Sequence, residues 1–206
     1  GEQAGRQIQR GISGEGGFVE RFKTQQNELY DVLDKFIPSS TRIDVSKTQA
    51  ALKSLNQDIE GAESISKFFQ NSRIKGIQGA LERDLASSRD ALTNEAGKLP
   101  YEAVKKLRTL VGQEMADAGI ASDVPRSKWK ALYAALSEDL GGATKGNAGA
   151  EAAWQRANNY TKAGMKRIEM IESVIDRNGG LEAIFKAATS GTKEGATTLR
   201  AVMQSL

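Results

Sequence analysis

The sequence predicts an all-α protein, a bundle of roughly seven to nine helices, and three observations predict it. Apolar residues recur at helical spacing through almost the whole chain. No run of alternating Val, Ile, Thr or aromatic residues reads as a strand, and no Asn-Gly or Asp-Gly turn lies between two such runs. Aromatic residues make up only 6% and Ala fills much of the apolar remainder, a composition that suits thin, closely packed helices.

The first stripe is Phe18, Phe22, Leu29, Val32, Leu33 and Phe36, broken at Ile37-Pro38. Residues 39–44 read as a polar connector. Ser46-Lys-Thr-Gln49 matches a capping box, with Ser46 accepting from the third backbone N–H and Gln49 reaching back. Leu52, Leu55 and Ile59 continue that helix until Gly61, and Ile65, Phe68 and Phe69 form a short apolar patch. Ile74, Ile77, Leu81 and Leu85 mark a further helix that contains Gly76 and Gly79. Two interior glycines cost about 1 kcal/mol each relative to Ala, so either a close helix neighbour offsets them or the chain breaks there.

The second half is the clearer one. Pro100 suits a first helical turn. Tyr101, Val104, Leu107, Val111 and Met115 follow, and Gly119 is a natural stop. Asp123-Val-Pro125 opens a helix with the stripe Trp129, Leu132, Tyr133, Leu136 and Leu140. Gly141-Gly142 and Gly146 to Gly149 read as a loose connector. Ala153, Ala157, Tyr160, Gly164, Ile168, Ile171 and Ile175 then trace one long helix, ended by Asn178-Gly-Gly180. Leu181, Ile184 and Phe185 suggest a short helix, and Leu199, Val202, Met203 and Leu206 a last one capped by Thr192. The expected division is an N-terminal helical region, 1–98, and a C-terminal bundle, 99–206, with antiparallel neighbours between 99 and 178. The two could equally form one continuous domain.

Cys and His are both zero. That removes disulfides and thiol nucleophiles, the commonest metal ligand and the commonest general base near neutral pH. Zinc fingers, Ser-His-Asp and Cys-His catalysis and His-ligated haem are excluded with them. The net charge is +3, carried entirely by the second half; this is far from a dense nucleic-acid footprint. The longest apolar run, Ala131 to Leu136, is far short of the roughly 20 residues of a membrane span. The chain begins with Gly1, so a longer native protein is expected.

Candidate sites are few. Gly141 to Gly146 has the glycine spacing of a phosphate loop, but Asn147 and Ala148 stand where the mechanism needs Lys and Ser or Thr, and no strand precedes it. Gly14 to Gly17 reads as a mobile entry to the first helix. Glycoside hydrolysis needs only two carboxylates, and Glu82/Asp84, Glu138/Asp139 and Glu169/Glu172 are the acid pairs on offer. Alternating charges around them fit a solvated surface better. Lys105, Lys106 and Arg108 cluster on one helix and Arg126, Lys128 and Lys130 on the next. With Arg156, Lys162 and Lys166 some of these could contact phosphate, weakly and with strong salt dependence. Trp129 falls on a core stripe. Trp154 could anchor packing or meet a partner. No catalytic, cofactor-binding or metal-ligating residue is assigned.

Three strings, Tyr101-Glu-Ala-Val-Lys-Lys-Leu-Arg108, Lys130-Ala-Leu-Tyr-Ala-Ala-Leu-Ser-Glu-Asp139 and Arg156-Ala-Asn-Asn-Tyr160, give residues 99–206 their texture, with an echo in Phe18 to Pro38. This region resembles helical regions of large multidomain bacteriophage and prophage virion proteins, of the internal virion, DNA-ejection and tape-measure type. The glycines and prolines depart from the long unbroken heptads of a tape measure. The resemblance implies a noncatalytic structural or interaction segment, located in the virion or bacterial cytoplasm. Its partners would be other subunits or domains of the same larger protein. The first alternative is a module that contacts DNA during ejection, and the second a peptidoglycan-cleaving enzyme that works through carboxylates alone.

Overall fold

The structure, a computed structural model, describes residues 17–88, 97–118, 124–180 and 186. The described residues are predominantly helical. They form α1 (Phe18–Asp31), a 3₁₀ turn (Val32–Lys35), β1 (Arg42–Ile43), α2 (Ser46–Leu55), α3 (Glu63–Ser66) and α4 (Ser72–Ser87). Then follow β2 (Leu99–Pro100), α5 (Tyr101–Asp117), α6 (Arg126–Ala143) and α7 (Ala148–Arg177). The expected helices after Gly180 lie outside the described residues.

One finding departs from the all-helix expectation. β1 and β2 pair antiparallel, Arg42 opposite Pro100 and Ile43 opposite Leu99. Two residues per strand are too few to leave a period in the sequence, and Pro100 is also the N-cap of α5. The pairing delivers the 39–41 connector to that helix end. The N–H groups of Tyr101 and Glu102 donate to the carbonyls of Thr41, at 2.7 Å, and Ser39, at 3.1 Å. Two of the donors that every helix start leaves open are thus satisfied by backbone.

The chain separates into two compact units, 29–156 and the combination of 1–28 with 157–206. The expected break at 98/99 falls inside the first of these. Contacts across that position hold it together: α2 packs on α6 as well as on α4, and β1 pairs with β2. In the 29–156 unit α5 packs along α6. Its core includes Leu33, Ile43, Leu52, Ile74, Tyr101, Val104, Val111, Trp129, Leu132 and Leu136, each at most 2% exposed. Burying such side chains stabilises by about 1.5–3 kcal/mol each.

Several local readings are corrected. The Ser46 capping box does not form; the N-cap is Val45, with no side-chain cap bond. Asp139 of α6 takes its place, accepting from the N–H of Thr48 at 2.8 Å and of Lys47 at 3.3 Å. A tertiary carboxylate therefore outcompeted the local box. α4 is capped by a residue the sequence reading passed over: Asn71 Oδ1 accepts from the N–H of Arg73 and Ile74. Gly76 and Gly79 neither break α4 nor admit a close backbone, since a Cβ at Gly76 would meet nothing within 4 Å. Gly141 and Gly142 belong to α6, which runs on to Ala143.

In the other unit α1 and α7 meet closely. A Cβ at Gly164 would collide with the Phe22 ring, so the glycine admits that aromatic. Phe22 stacks on Tyr160 with centroids 5.7 Å apart. Gln26 Nε2 donates to Thr161 Oγ1 at 3.1 Å in the same seam.

Candidate functional site

Ile59, Ile65, Phe68 and Phe69 were expected to fill helix stripes or an apolar patch. The structure instead places all four outward on the segment 57–71, 50%, 58%, 87% and 66% exposed. Ile59 lies beyond the end of α2 at Leu55, which takes it off that helix's buried face.

The segment is ordered by its polar residues. Ser66 is its internal pin, 1% exposed: Oγ accepts from the Ile59 N–H at 2.6 Å and donates to the Ala62 carbonyl at 2.9 Å. Gly61 turns the chain at φ +78°, a conformation that glycine adopts without strain. Gln70 Nε2 closes the base by donating to the Asn56 carbonyl at 2.9 Å and Asp58 Oδ1 at 2.7 Å. Asn56 Nδ2 in turn donates to Gln78 of α4 at 2.7 Å. Lys128 of α6 donates its Nζ to the Phe69 carbonyl at 3.0 Å. Polar atoms bind the inside and apolar side chains face water, the reverse of ordinary loop chemistry. A contiguous exposed apolar patch on a monomer marks an interaction surface. A patch whose backbone is already fixed loses little entropy on docking.

The predicted contact residues are dispersed. Arg108 is not a surface group: it is fully buried, and its guanidinium lies 3.6 Å from the centroid of the Tyr30 ring. Only Nη2 has a partner, Thr109 Oγ1 at 3.0 Å; Nε and Nη1 have none. Burial, followed by the charge and hydrogen bond of Tyr133, drives the Tyr30 phenol far above its ordinary range. Tyr133 donates its hydroxyl to Tyr30 at 2.7 Å. Lys105 binds Asp31 and Asp34. Partial burial lowers its pKa, but the hydrogen bonds and charges of Asp34 and Asp31 outweigh that and leave it raised. Lys106 pairs with Glu102 one turn earlier on α5, at 3.3 Å. Arg126 caps the end of α5, donating to the Met115 and Ala116 carbonyls at 2.9 and 3.3 Å. Arg156, Lys162 and Lys166 are exposed on α7.

Trp154 is a packing anchor. Its Nε1 donates to the Ser137 carbonyl at 2.9 Å and its ring rests where a Cβ on Gly141 would stand. Gly149 similarly seats Phe36. The first glycine of the phosphate-loop-like stretch therefore makes room for an aromatic, and the last, Gly146, faces open space. Of the weighed carboxylates, Glu82, Asp84 and Glu138 are exposed, while Asp139 caps α2. Among the described residues no group of three His, Cys, Asp or Glu could hold a metal ion, and no helix is long and apolar enough to cross a membrane.

The segment 57–71 is the feature sequence reasoning mis-sorted. The available signal was that Ile59, Ile65, Phe68 and Phe69 sit among Gly61, Ser66 and Asn71. No protein-family model, curated protein or solved structure matches the chain.

Proposed function

We propose that this chain is a noncatalytic docking module of a larger phage or prophage virion protein. It works in the virion or bacterial cytoplasm and joins other subunits or domains of that protein. The observation that carries the reading is the pinned segment 57–71, which holds Phe68 87% exposed. α5 packs along α6, the Arg126 start of α6 meets the Met115 end of α5, and α6 gives the loop a base through Lys128. Two adjacent phenyl rings offer a partner of order 300–500 Å² of apolar surface. Docking through them places the association on a segment between helices, where the sequence expectation placed it on helix faces.

The test is photocrosslinking in the parent protein within its host, with p-benzoylphenylalanine in place of Phe68. Protein adducts are expected at this position and not at Glu82, an exposed control site on α4. No adduct above the control would end the docking reading.

A further inference from the structure

We propose that the aromatic loop of one molecule docks into a concavity beside Tyr160 of a second copy of this chain. The inference rests on the reading of segment 57–71 as a docking surface and names its occupant.

Glu20, Arg21, Thr24 and Gln25 of α1 and Tyr160 of α7 line an open concavity of about 480 Å³. That volume is within the range of sites that take small organic groups, so it admits a phenyl ring with room to adjust. The Tyr160 ring is half-buried and held by its stack on Phe22, 16° from parallel. Burial raises the Tyr160 pKa, as expected where water has been partly excluded from an aromatic wall. A third aromatic edge or face arriving from outside would gain about 0.5–1.5 kcal/mol beyond its buried area.

The charges match. Lys67 lies between Ile65 and Phe68 on the loop, and Glu20 stands at the rim of the concavity; both are exposed. The loop carries Asp58, Glu60 and Glu63 against one cation, Lys67, which disfavours an anionic lipid surface or a nucleic acid as its occupant.

Peg and socket are made of different residues, so each contact uses one loop and one socket, and a molecule that donates its loop still carries a socket of its own. The exposed side chains of the peg fall below the roughly 800 Å² per partner of a standard interface. Association is therefore weak for free molecules and is strengthened where copies are held together in an assembly.

Sedimentation velocity and light scattering, from about 10 µM to about 1 mM, test this. The average mass of the unaltered chain should rise with concentration. Phe68→Ser/Phe69→Ser removes the peg, and Thr24→Arg, at an exposed position of α1, obstructs the socket. Each should lower the association constant at least tenfold with helicity and melting unchanged. An equimolar mixture of the two variants should form 1:1 dimers and nothing larger, because it contains one working peg and one working socket. Lys67→Glu should weaken the contact and Glu20→Lys should restore it.

A chain that stays monomeric at millimolar concentration overturns the proposal. So does association that survives Thr24→Arg, which would mean loops pairing with loops. Position 68 crosslinking to a different protein, together with a monomeric chain, removes the second copy as occupant and leaves the docking reading in place.

Discussion

Asp139 and Thr48 are 91 positions apart in sequence, and the carboxylate of one closes the first turn of the other's helix. Oδ2 accepts both the Thr48 N–H at 2.8 Å and the Thr48 hydroxyl at 2.7 Å, while Oδ1 accepts the Lys47 N–H. One side chain thus does the work of an N-cap and ties α2 to α6.

Asp139→Asn should lower stability by about 1–2 kcal/mol, since an amide has one acceptor oxygen where three donors converge. Burial raises the Asp139 pKa, against the lowering effect of the Thr48 and Lys47 hydrogen bonds. The folded state therefore holds this proton more tightly than the unfolded chain. The contribution of Asp139 to stability is greatest below its unfolded pKa near 3.8 and declines as pH rises through the higher folded value. Denaturant melts at neutral pH and near pH 3.5 should show the gap between Asp139 and its Asn variant widening in acid. A gap that narrows in acid would show that the Thr48 and Lys47 hydrogen bonds outweigh burial at this carboxyl.

Gly76 and Gly164 make a matched pair of opposite sign. Gly76 is exposed and helical with open space where a Cβ would go, so Gly76→Ala should stabilise by about 0.5–1 kcal/mol through the unfolded state and helix propensity. Gly164 is packed against Phe22, and Gly164→Ala should destabilise by about 1–3 kcal/mol through overpacking. Thermal melts of both variants decide it; the same sign for the two would contradict the packing described.

These positions also show what the sequence could convey. The stripes on α5 and α6 were legible because Val104, Val111, Trp129, Leu132 and Leu136 repeat at the helical period and are buried. The Ser46 box failed because a local motif carries no record of Asp139 arriving from 91 positions away. Arg108 was misread for a related reason. It follows Lys105 and Lys106 in sequence, yet it falls on the α5 face that holds Val104, Val111 and Met115. The exposure of the loop at 57–71 was opaque because Ile65, Phe68 and Phe69 read as an apolar patch whose spacing does not say which way its side chains face. Its exposure depends on side-chain bonds from Ser66, Gln70 and Lys128.

Arg108 carries a prediction of its own. Its buried guanidinium stacks on Tyr30, but two of its nitrogens bond nothing. Removing a partly satisfied buried charge while keeping its volume is often neutral or stabilising. Arg108→Met should leave the melting temperature unchanged or higher, and Arg108→Ala should lose about 2–4 kcal/mol by opening a cavity beside Tyr30 and Tyr101. A Met variant as damaged as the Ala variant would show that the charge itself holds the core.

The final prediction separates docking from folding. Phe68 and Phe69 are mostly in water, so replacing both with Ser removes little that the folded state buries. Phe68→Ser/Phe69→Ser should shift stability by less than about 0.5 kcal/mol, the range of ordinary surface changes. Ser66→Ala acts oppositely. It strips the Ile59 N–H of its partner inside the loop, while the Ala62 carbonyl keeps the backbone N–H of position 66; a buried donor left unpaired costs about 1–3 kcal/mol. That loss is confined to the loop, because α2 and α4 keep their own contacts. Amide hydrogen exchange reads the difference directly: Ser66→Ala should speed exchange across 57–71 with α5 and α6 unaffected, whereas the double Phe variant should change neither. If the double Phe variant loosens the loop as much as Ser66→Ala does, the phenyl rings hold the loop together and are not free to meet a partner.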